Sequence, residues 1–148
     1  MKPQFKIKRF NELSLQELYK AMQLRSEVFV VEQNCVYQDI DGKDEKALHV
    51  LGMFNDELVA YCRLFNTGDY FDNPSIGRVV VSQKYRDRKW GHDLMATAIA
   101  AIHQHYNISC ITISAQLYLK KFYESHGFVQ EGEQYLEDDI PHIRMHRQ

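Results

Sequence analysis

The sequence predicts a single α/β (α+β) domain over residues 1–148, built on a mixed, mostly antiparallel sheet that is flanked by helices. Apolar segments of strand and helix length follow one another in the order β, α, β, β, β, α, β, α, β, β. Three consecutive strands near the middle disfavour a doubly wound nucleotide fold, which requires regular βαβ alternation. The length of 148 residues fits one ordinary domain with a substantial core.

The N-terminal region predicts a strand followed by a capped helix. Phe5 and Ile7 indicate a weak first strand. Ser14-Leu15-Gln16-Glu17 has the S-x-x-E pattern, in which the serine and glutamate side chains cap the helix N-terminus reciprocally. Apolar residues at helical spacing extend this helix to about Glu32. The run of residues 28–31 just before Glu32, which is rich in β-branched side chains, also suits an extended segment.

A loop and a hairpin are predicted next. Residues 35–46 are polar and acidic, and we expect them to form an exposed loop. Residues 49–54 and 58–65 have the composition of strands, and the short connection between them predicts antiparallel pairing. Residues 66–74 then form a connection rich in Gly, Asp and Asn.

The central segment predicts a strand, a basic turn and a helix in immediate succession. Residues 76–82 are rich in β-branched side chains, and an amphipathic helix is expected over about 90–105. Arg86, Arg88 and Lys89 lie just ahead of the helix start, where unpaired N–H groups and the helix dipole attract anions. The turn therefore predicts a phosphate site, with a merely solvated basic turn as the alternative.

The remaining elements are short. We expect a strand over 108–115 and a helix over 117–126, which Gly127 would end in the left-handed conformation. Two last strands, at about 128–134 and 141–146, complete the order.

Composition excludes several classes of function. A formal net charge of −2 argues against a nucleic-acid-binding surface over the whole chain. Cys35, Cys62 and Cys110 are widely spaced, so neither a disulfide framework nor a zinc site is indicated, and no other metal site is expected. The sequence shows no membrane-spanning run and no signal peptide. We therefore expect a cytoplasmic protein without a membrane or nucleic-acid partner.

The central segment resembles the pyrophosphate motif of the GNAT superfamily of acyl-CoA-dependent N-acyltransferases. This motif is commonly written R/Q-x-x-G-x-G/A after a strand, and Arg86 and Gly91 match it, whereas Lys89 stands where the first glycine is usual. Within the superfamily the chain is most similar to the ElaA type. The segments that carry this similarity run in order along the chain: 24–25, 28–33, 37–41, 76–79, 122–123, 127–128 and 140–143.

The resemblance implies the GNAT fold with a splayed parallel strand pair, acetyl-CoA as cosubstrate, and direct acetyl transfer to a primary amine of a small molecule or protein. It also implies which residues bind the cofactor, partly through backbone groups of the central strand. These residues are Val79, Val80, Val81, Arg86, Asp87, Arg88, Lys89, Trp90, Gly91, His92, Gln116 and Phe122.

The same resemblance makes Tyr123 the acid that protonates the departing thiolate. A phenol with a pKa near 10 can serve a thiolate with a pKa near 8.5 only when the two groups are adjacent. The alternative is a half-buried aromatic side chain with a satisfied hydroxyl.

A general base must accept a proton from the attacking amine, whose pKa as a free lysine is about 10.4. Glu32, His49 and His142 are the candidates. Glu32 could instead be a solvated residue at the helix end or an ion-pair partner of Arg25. His142 could instead be a histidine on an edge strand without a catalytic role. The acidic clusters around Asp39 and at 137–139 could attract a cationic acceptor, although solvated turns are the simpler interpretation.

Three functions remain open at this level. The leading hypothesis is an acetyl-CoA-dependent N-acetyltransferase. The second is a non-catalytic sensor that binds acyl-CoA. The third is an enzyme like the acyl-homoserine lactone synthases, because Leu24-Arg25 followed by Val28-Phe29 resembles part of their pattern. The oligomeric state is open, with a homodimer as one option.

Overall fold

The computed structural model describes all 148 residues. The strands are β1 Gln4–Arg9, β2 Leu48–Phe54, β3 Glu57–Phe65, β4 Ser75–Val81, β5 Ile111–Gln116, β6 Val129–Glu137 and β7 Ile140–Arg147. The α-helices are α1 Leu15–Arg25, α2 Trp90–Tyr106 and α3 Lys120–Glu124. A π-helical segment, Ser26–Glu32, directly continues α1.

The strands form two antiparallel sheets that meet between β4 and β5. One sheet has the order β1-β2-β3-β4, and the other has the order β5-β7-β6. The Thr112 N–H donates to the Pro74 carbonyl at 2.9 Å and joins the two sheets where β4 and β5 begin. No ladder continues beyond this bond, so the two strands splay apart. The predicted fold class is confirmed, with the refinement that hydrogen bonding divides the sheet in two.

The first helix begins where the capping pattern predicted. The Glu17 N–H donates to Ser14 Oγ at 3.0 Å, and the Ser14 N–H donates to Glu17 Oε1 at 2.8 Å. The helix continues to Glu32 as expected, but its geometry changes to π after Arg25. A π-helix places an extra residue in each turn, and such segments frequently occur at functional sites.

Both faces of the first sheet are buried. Val50 and Ala60 pack in the core beneath α2, whereas their chain neighbours Leu51 and Tyr61 pack in the core beneath α1. All four residues have no exposed surface. Consecutive strand residues point to opposite faces, so near-continuous apolar strands such as β3 indicate helices on both sides.

Two predictions of local structure need correction. Residues 35–46 are not a plainly exposed loop, because Asp39 and Asp44 are buried. The helix expected over 117–126 is shorter, with a 3-10 turn over Leu117–Leu119 before α3. Gly127 nevertheless has φ +89° and donates its N–H to the Glu124 carbonyl at 3.0 Å, so the predicted left-handed cap is confirmed.

No helix combines the length and apolar character that crossing a membrane requires. No group of three or more His, Cys, Asp or Glu side chains lies in a position to hold a metal ion.

Candidate functional site

The separation of the two sheets creates a cavity of about 480 Å³. Gly77 to Val81 of β4 form one wall, and Ser114 and Gln116 of β5 line the opposite side. The Gln33 Nε2 donates to Gln116 Oε1 at 3.1 Å and the Gln116 Nε2 to Gln33 Oε1 at 3.2 Å, so an amide pair joins the π-helical segment to β5. A cavity between splayed strands can accept a ligand against backbone groups that lack a strand partner.

A bulge interrupts β4 inside this wall. Between the pairs Tyr61–Val80 and Arg63–Gly77, two residues of β4 lie opposite one residue of β3. Arg78 is one of the two, and it has φ +51°, a left-handed conformation that costs a non-glycine residue roughly 1–3 kcal/mol. Bulges often occur beside active sites, because they remove backbone groups from the ladder and redirect side chains.

A buried network of charges surrounds the bulge. Asp44 Oδ1 accepts hydrogen bonds from Arg25 Nη1 at 2.7 Å and Arg63 Nη1 at 2.9 Å. Burial alone would raise the pKa of Asp44, but hydrogen bonds and charge from these two arginines lower it below its ordinary value. Asp44 therefore remains ionised and balances two buried guanidinium groups.

Asp39 and Asp41 pair with most of the remaining donors of the network, whereas Arg63 Nε has no hydrogen-bond partner. Arg78 Nε lies 2.7 Å from Asp39 Oδ1, and Arg78 Nη2 donates to the Asp39 carbonyl at 3.0 Å. Arg25 Nε donates to Asp39 Oδ2 at 2.9 Å, and Arg63 Nη2 to Asp41 Oδ2 at 2.5 Å. Three aspartates thus balance three arginines, and the acidic loop stabilises the bulge rather than offering free negative charge.

The basic turn ends in an unusual backbone conformation. Lys89 has φ +61° at the N-cap of α2, and its side chain makes no capping hydrogen bond. A left-handed conformation at this position explains why glycine is usual there. A Cβ atom on Gly91 would lie 3.5 Å from the Phe122 ring and 3.9 Å from Val81 Cγ2, so the protein itself leaves room for a methyl group. The open space at Gly91 fits the approach of a phosphate group to the helix start.

Most of the predicted cofactor-binding residues share this cavity. Those that line it are Val79, Val80, Val81, Arg86, Lys89, Gly91, His92, Gln116 and Phe122. Asp87, Arg88 and Trp90 do not line it. Trp90 is buried and packs beside Tyr85, and the Arg88 guanidinium lies 5.4 Å from the centre of the Trp90 ring.

Arg86 and Glu32 form an ion pair beside the cavity. Arg86 Nη2 donates to Glu32 Oε1 at 2.8 Å, and Nη1 contacts Oε2. Arg86 Nε also donates to the Val81 carbonyl at 3.2 Å. The hydrogen bond to Glu32 raises the pKa of Arg86. Glu32 does not line the cavity, and its carboxylate holds the Arg86 guanidinium beside the end of β4.

Tyr123 lines the cavity from α3. Its side chain is buried, with edge-on packing against Phe122 and Phe128, and its hydroxyl donates no hydrogen bond within the protein. Burial, and more weakly Cys62 and Tyr118, raises the pKa of Tyr123 above its ordinary value. The phenol therefore keeps its proton and can donate it only to a group that enters the cavity.

The two histidine candidates differ in position. His142 lines the cavity, and its Nδ1 lies 2.7 Å from the Ile140 carbonyl. A carbonyl can only accept, so Nδ1 carries a proton; Nε2 lies 3.5 Å from Glu137 Oε2 and can accept a proton when the ring is neutral. His49 does not line the cavity, because its ring nitrogens bond the Tyr61 hydroxyl at 2.6 Å and the Asp44 carbonyl at 2.9 Å.

Sequence reasoning did not single out several residues of the site. Arg63 and Arg78 each interrupt an apolar strand, and a charge within a buried strand signals a buried partner. Ser114 was also missed. Its hydroxyl lies 2.5 Å from the Tyr135 hydroxyl and donates to Glu137 Oε1 at 3.0 Å, but these contacts cross between strands and have no local sequence signal.

Comparisons with known proteins agree with this geometry. The chain matches the family model described as "Acetyltransferase (GNAT) domain" over residues 10–148. Protein ElaA of Escherichia coli strain K12 is 46% identical over 140 residues, which cover 93% of this chain and 92% of ElaA. The crystal structure of Escherichia coli ElaA has a TM-score of 0.92 at 43% identity and covers 99% of both chains.

Two further solved structures extend the comparison. An acyl-CoA N-acyltransferase from Pseudomonas aeruginosa has a TM-score of 0.91 at 41% identity, with 98% of this chain and 99% of that chain covered. The CoA-dependent acyl-homoserine lactone synthase BjaI has a TM-score of 0.79 at 17% identity, with 97% and 82% covered. At that identity the similarity to BjaI shows a common fold and nothing more about function.

Proposed function

Since this chain belongs to the GNAT family of acetyltransferases, we propose that it transfers an acetyl group from acetyl-CoA directly to a primary amine of a small molecule or protein. One observation carries the proposal. The cavity between β4 and β5 brings together the start of α2, the bulge of β4, the phenol of Tyr123 and the free nitrogen of His142. These are the groups that acyl transfer from a thioester to an amine requires.

The basic turn is the proposed site for the CoA pyrophosphate. The N-terminus of α2 offers unpaired N–H groups and the positive end of a 17-residue helix, and Lys89 adds a charge at the cavity wall. Gly91 keeps that wall open. The bulge of β4 would supply backbone groups to the pantetheine arm and to the acyl carbonyl.

The chemistry follows from the two titratable groups. The neutral amine attacks the thioester carbon, a C–N bond forms and the C–S bond breaks. We assign removal of the amine proton to His142 Nε2, because the Ile140 carbonyl fixes the tautomer that leaves this nitrogen free. Tyr123 then donates its proton to the leaving thiolate. Glu32 is a weaker candidate for the base because it pairs with Arg86.

The test combines binding and turnover. Tyr123→Phe should lower kcat by about a hundredfold or more where chemistry limits the rate, since general acids contribute on this scale, while calorimetric binding of acetyl-CoA stays unchanged. Tyr118→Phe is a matched control, because Tyr118 also lines the cavity but is largely exposed. Full turnover of Tyr123→Phe would exclude the acid role, and absence of acetyl-CoA binding at millimolar concentration would exclude the function.

The alternative function, a non-catalytic sensor of acyl-CoA, differs from the acetyltransferase in one measurable outcome. A sensor would bind acetyl-CoA without any amine-dependent release of CoA. Two features favour this alternative: the general base is not clearly marked in the sequence, and Lys89 stands where glycine is usual. Lys89 nevertheless adopts the left-handed conformation that suits a glycine. The cytoplasmic location, the homodimer and the absence of a nucleic-acid partner stay predictions from the sequence.

A further inference from the structure

We propose that the acceptor is a cationic primary amine with an aromatic or branched apolar substituent, and that Glu137 binds its ammonium group. This inference rests on the proposed function and names its second substrate. The observations that carry it concern the part of the cavity wall that contains Glu137 and His142.

Glu137 is held in one orientation at the cavity wall. Ser114 Oγ donates to Glu137 Oε1 at 3.0 Å, and the Tyr135 hydroxyl lies 2.5 Å from Ser114 Oγ. The other carboxylate oxygen, Oε2, lies 3.5 Å from His142 Nε2. When the His142 ring is neutral, Nε2 has a lone pair, so a donor such as an ammonium group can bind both Nε2 and the carboxylate.

The cavity wall contains negative charge that no arginine or lysine pairs with. Arg63 and Arg78 also line it, but the buried aspartates of the acidic loop neutralise them. Glu137 and Asp138 have no arginine or lysine partner. Lys89 and the N-terminus of α2 contribute positive charge elsewhere in the wall. The cavity thus combines cationic groups for an anionic donor with a carboxylate for a cationic acceptor.

Three aromatic side chains, Phe65, Tyr70 and Phe71, also line the cavity. Tyr70 stacks on Phe65 with 5.2 Å between ring centres, and Phe71 packs edge-on against Tyr70 at 4.9 Å. Lys43 and Arg144 already lie over the Tyr70 and Phe71 rings. These rings thus offer apolar contact area rather than a second ammonium site, which favours an amine with one charge and an apolar group.

The position of Glu137 also suits proton removal. An ammonium placed between Glu137 Oε2 and His142 Nε2 donates one hydrogen bond to each, and transfer of one proton to Nε2 leaves a neutral amine and an imidazolium. The carboxylate then stabilises the imidazolium until the ring releases its proton to solvent. Glu137 is a binding and positioning residue in this scheme, and His142 accepts the proton.

The experiment uses the full chain, acetyl-CoA and four amines: 2-phenylethylamine, 3-methylbutylamine, spermidine and β-alanine. We expect the first two to have the highest kcat/KM. Glu137→Gln should raise the KM for 2-phenylethylamine about tenfold or more, because charged hydrogen bonds are strong, and should leave the KM for acetyl-CoA within about twofold. Asp139→Asn removes the same charge from the same turn but lies outside the cavity, so its KM values should match the wild type.

The possible failures are distinguishable. Preferred turnover of spermidine or β-alanine, or equal KM values for Glu137→Gln and Asp139→Asn, would overturn the inference while leaving the acetyltransferase intact. Binding of acetyl-CoA without CoA release by any amine would instead overturn the proposed function. If Glu137→Asp has an amine KM between those of the wild type and Glu137→Gln, the charge of the carboxylate matters. A side chain that only fills space would not show this dependence on charge.

Discussion

Replacing Lys89 separates the effect of its backbone conformation from the effect of its charge. Lys89 has φ +61° directly before α2, where a residue with a Cβ atom is strained by roughly 1–2 kcal/mol. Glycine removes this strain, but it also gives the unfolded chain more conformational entropy, which lowers the free energy of unfolding by roughly 0.4–1 kcal/mol. Lys89→Gly should therefore raise the free energy of unfolding by about 0.5–1 kcal/mol, and the melting temperature by about 1–4 °C.

The charge should act on ligand binding instead. Lys89 lines the cavity beside the proposed pyrophosphate site, and an exposed ion pair contributes up to about 1 kcal/mol. Lys89→Gly and Lys89→Ala should both weaken acetyl-CoA binding about threefold to fivefold and reduce its dependence on salt. Lys89→Arg keeps the charge and should bind like the wild type.

Differential scanning calorimetry and isothermal titration calorimetry on the three variants test both parts. Lys89→Ala keeps the left-handed strain, so only Lys89→Gly should melt above the wild type. If the glycine variant melts at or below the alanine variant, the argument from backbone strain is wrong. If the glycine variant binds acetyl-CoA as tightly as the wild type, Lys89 does not contact the phosphates.

Three further substitutions test other parts of the structure. Asp44→Asn should lower the free energy of unfolding by about 3–5 kcal/mol, measured by urea denaturation, because it leaves two buried guanidinium groups without their shared carboxylate. Since the pKa of Asp44 is lowered in the folded state, its stabilising contribution is present at neutral pH and should decline as the pH falls below about 4; the variant should show a shallower decline. Gly91→Ala should unfold like the wild type, with its Cβ 3.5 Å from the Phe122 ring, but should bind acetyl-CoA about tenfold more weakly by calorimetry. Glu32→Gln should keep kcat within about twofold if Glu32 only orients Arg86, whereas a hundredfold loss in a steady-state assay would make Glu32 the base.

Local signals in the sequence predicted the helix ends and the position of the basic turn. The capping box at Ser14 and the glycine cap at Gly127 act within a few residues, so their chemistry is readable without the fold. The strand, turn and helix around Arg86 and Gly91 are also contiguous in the chain. The proposed anion binding rests on that order, because a helix start has the same unpaired N–H groups in every fold.

The acidic loop shows where such signals fail. The composition of residues 35–46 is that of an exposed loop, but Asp39 and Asp44 are buried because Arg25, Arg63 and Arg78 lie against them. Each arginine comes from a different element, so no local pattern contains the pairing. A charge in an apolar strand indicates only that some partner exists.

The sequence by itself determined the order of elements, the helix caps, the position of the basic turn and the similarity to GNAT proteins, because each depends on neighbouring residues or on ordered motifs. Only the tertiary structure decided which groups meet in the cavity. The bulge of β4 depends on its register with β3, the proton position on His142 depends on the Ile140 carbonyl, and the orientation of Glu137 depends on Ser114. Register and side-chain contacts between distant elements come from packing of the whole core, and that packing brings Tyr123 and His142 into one space.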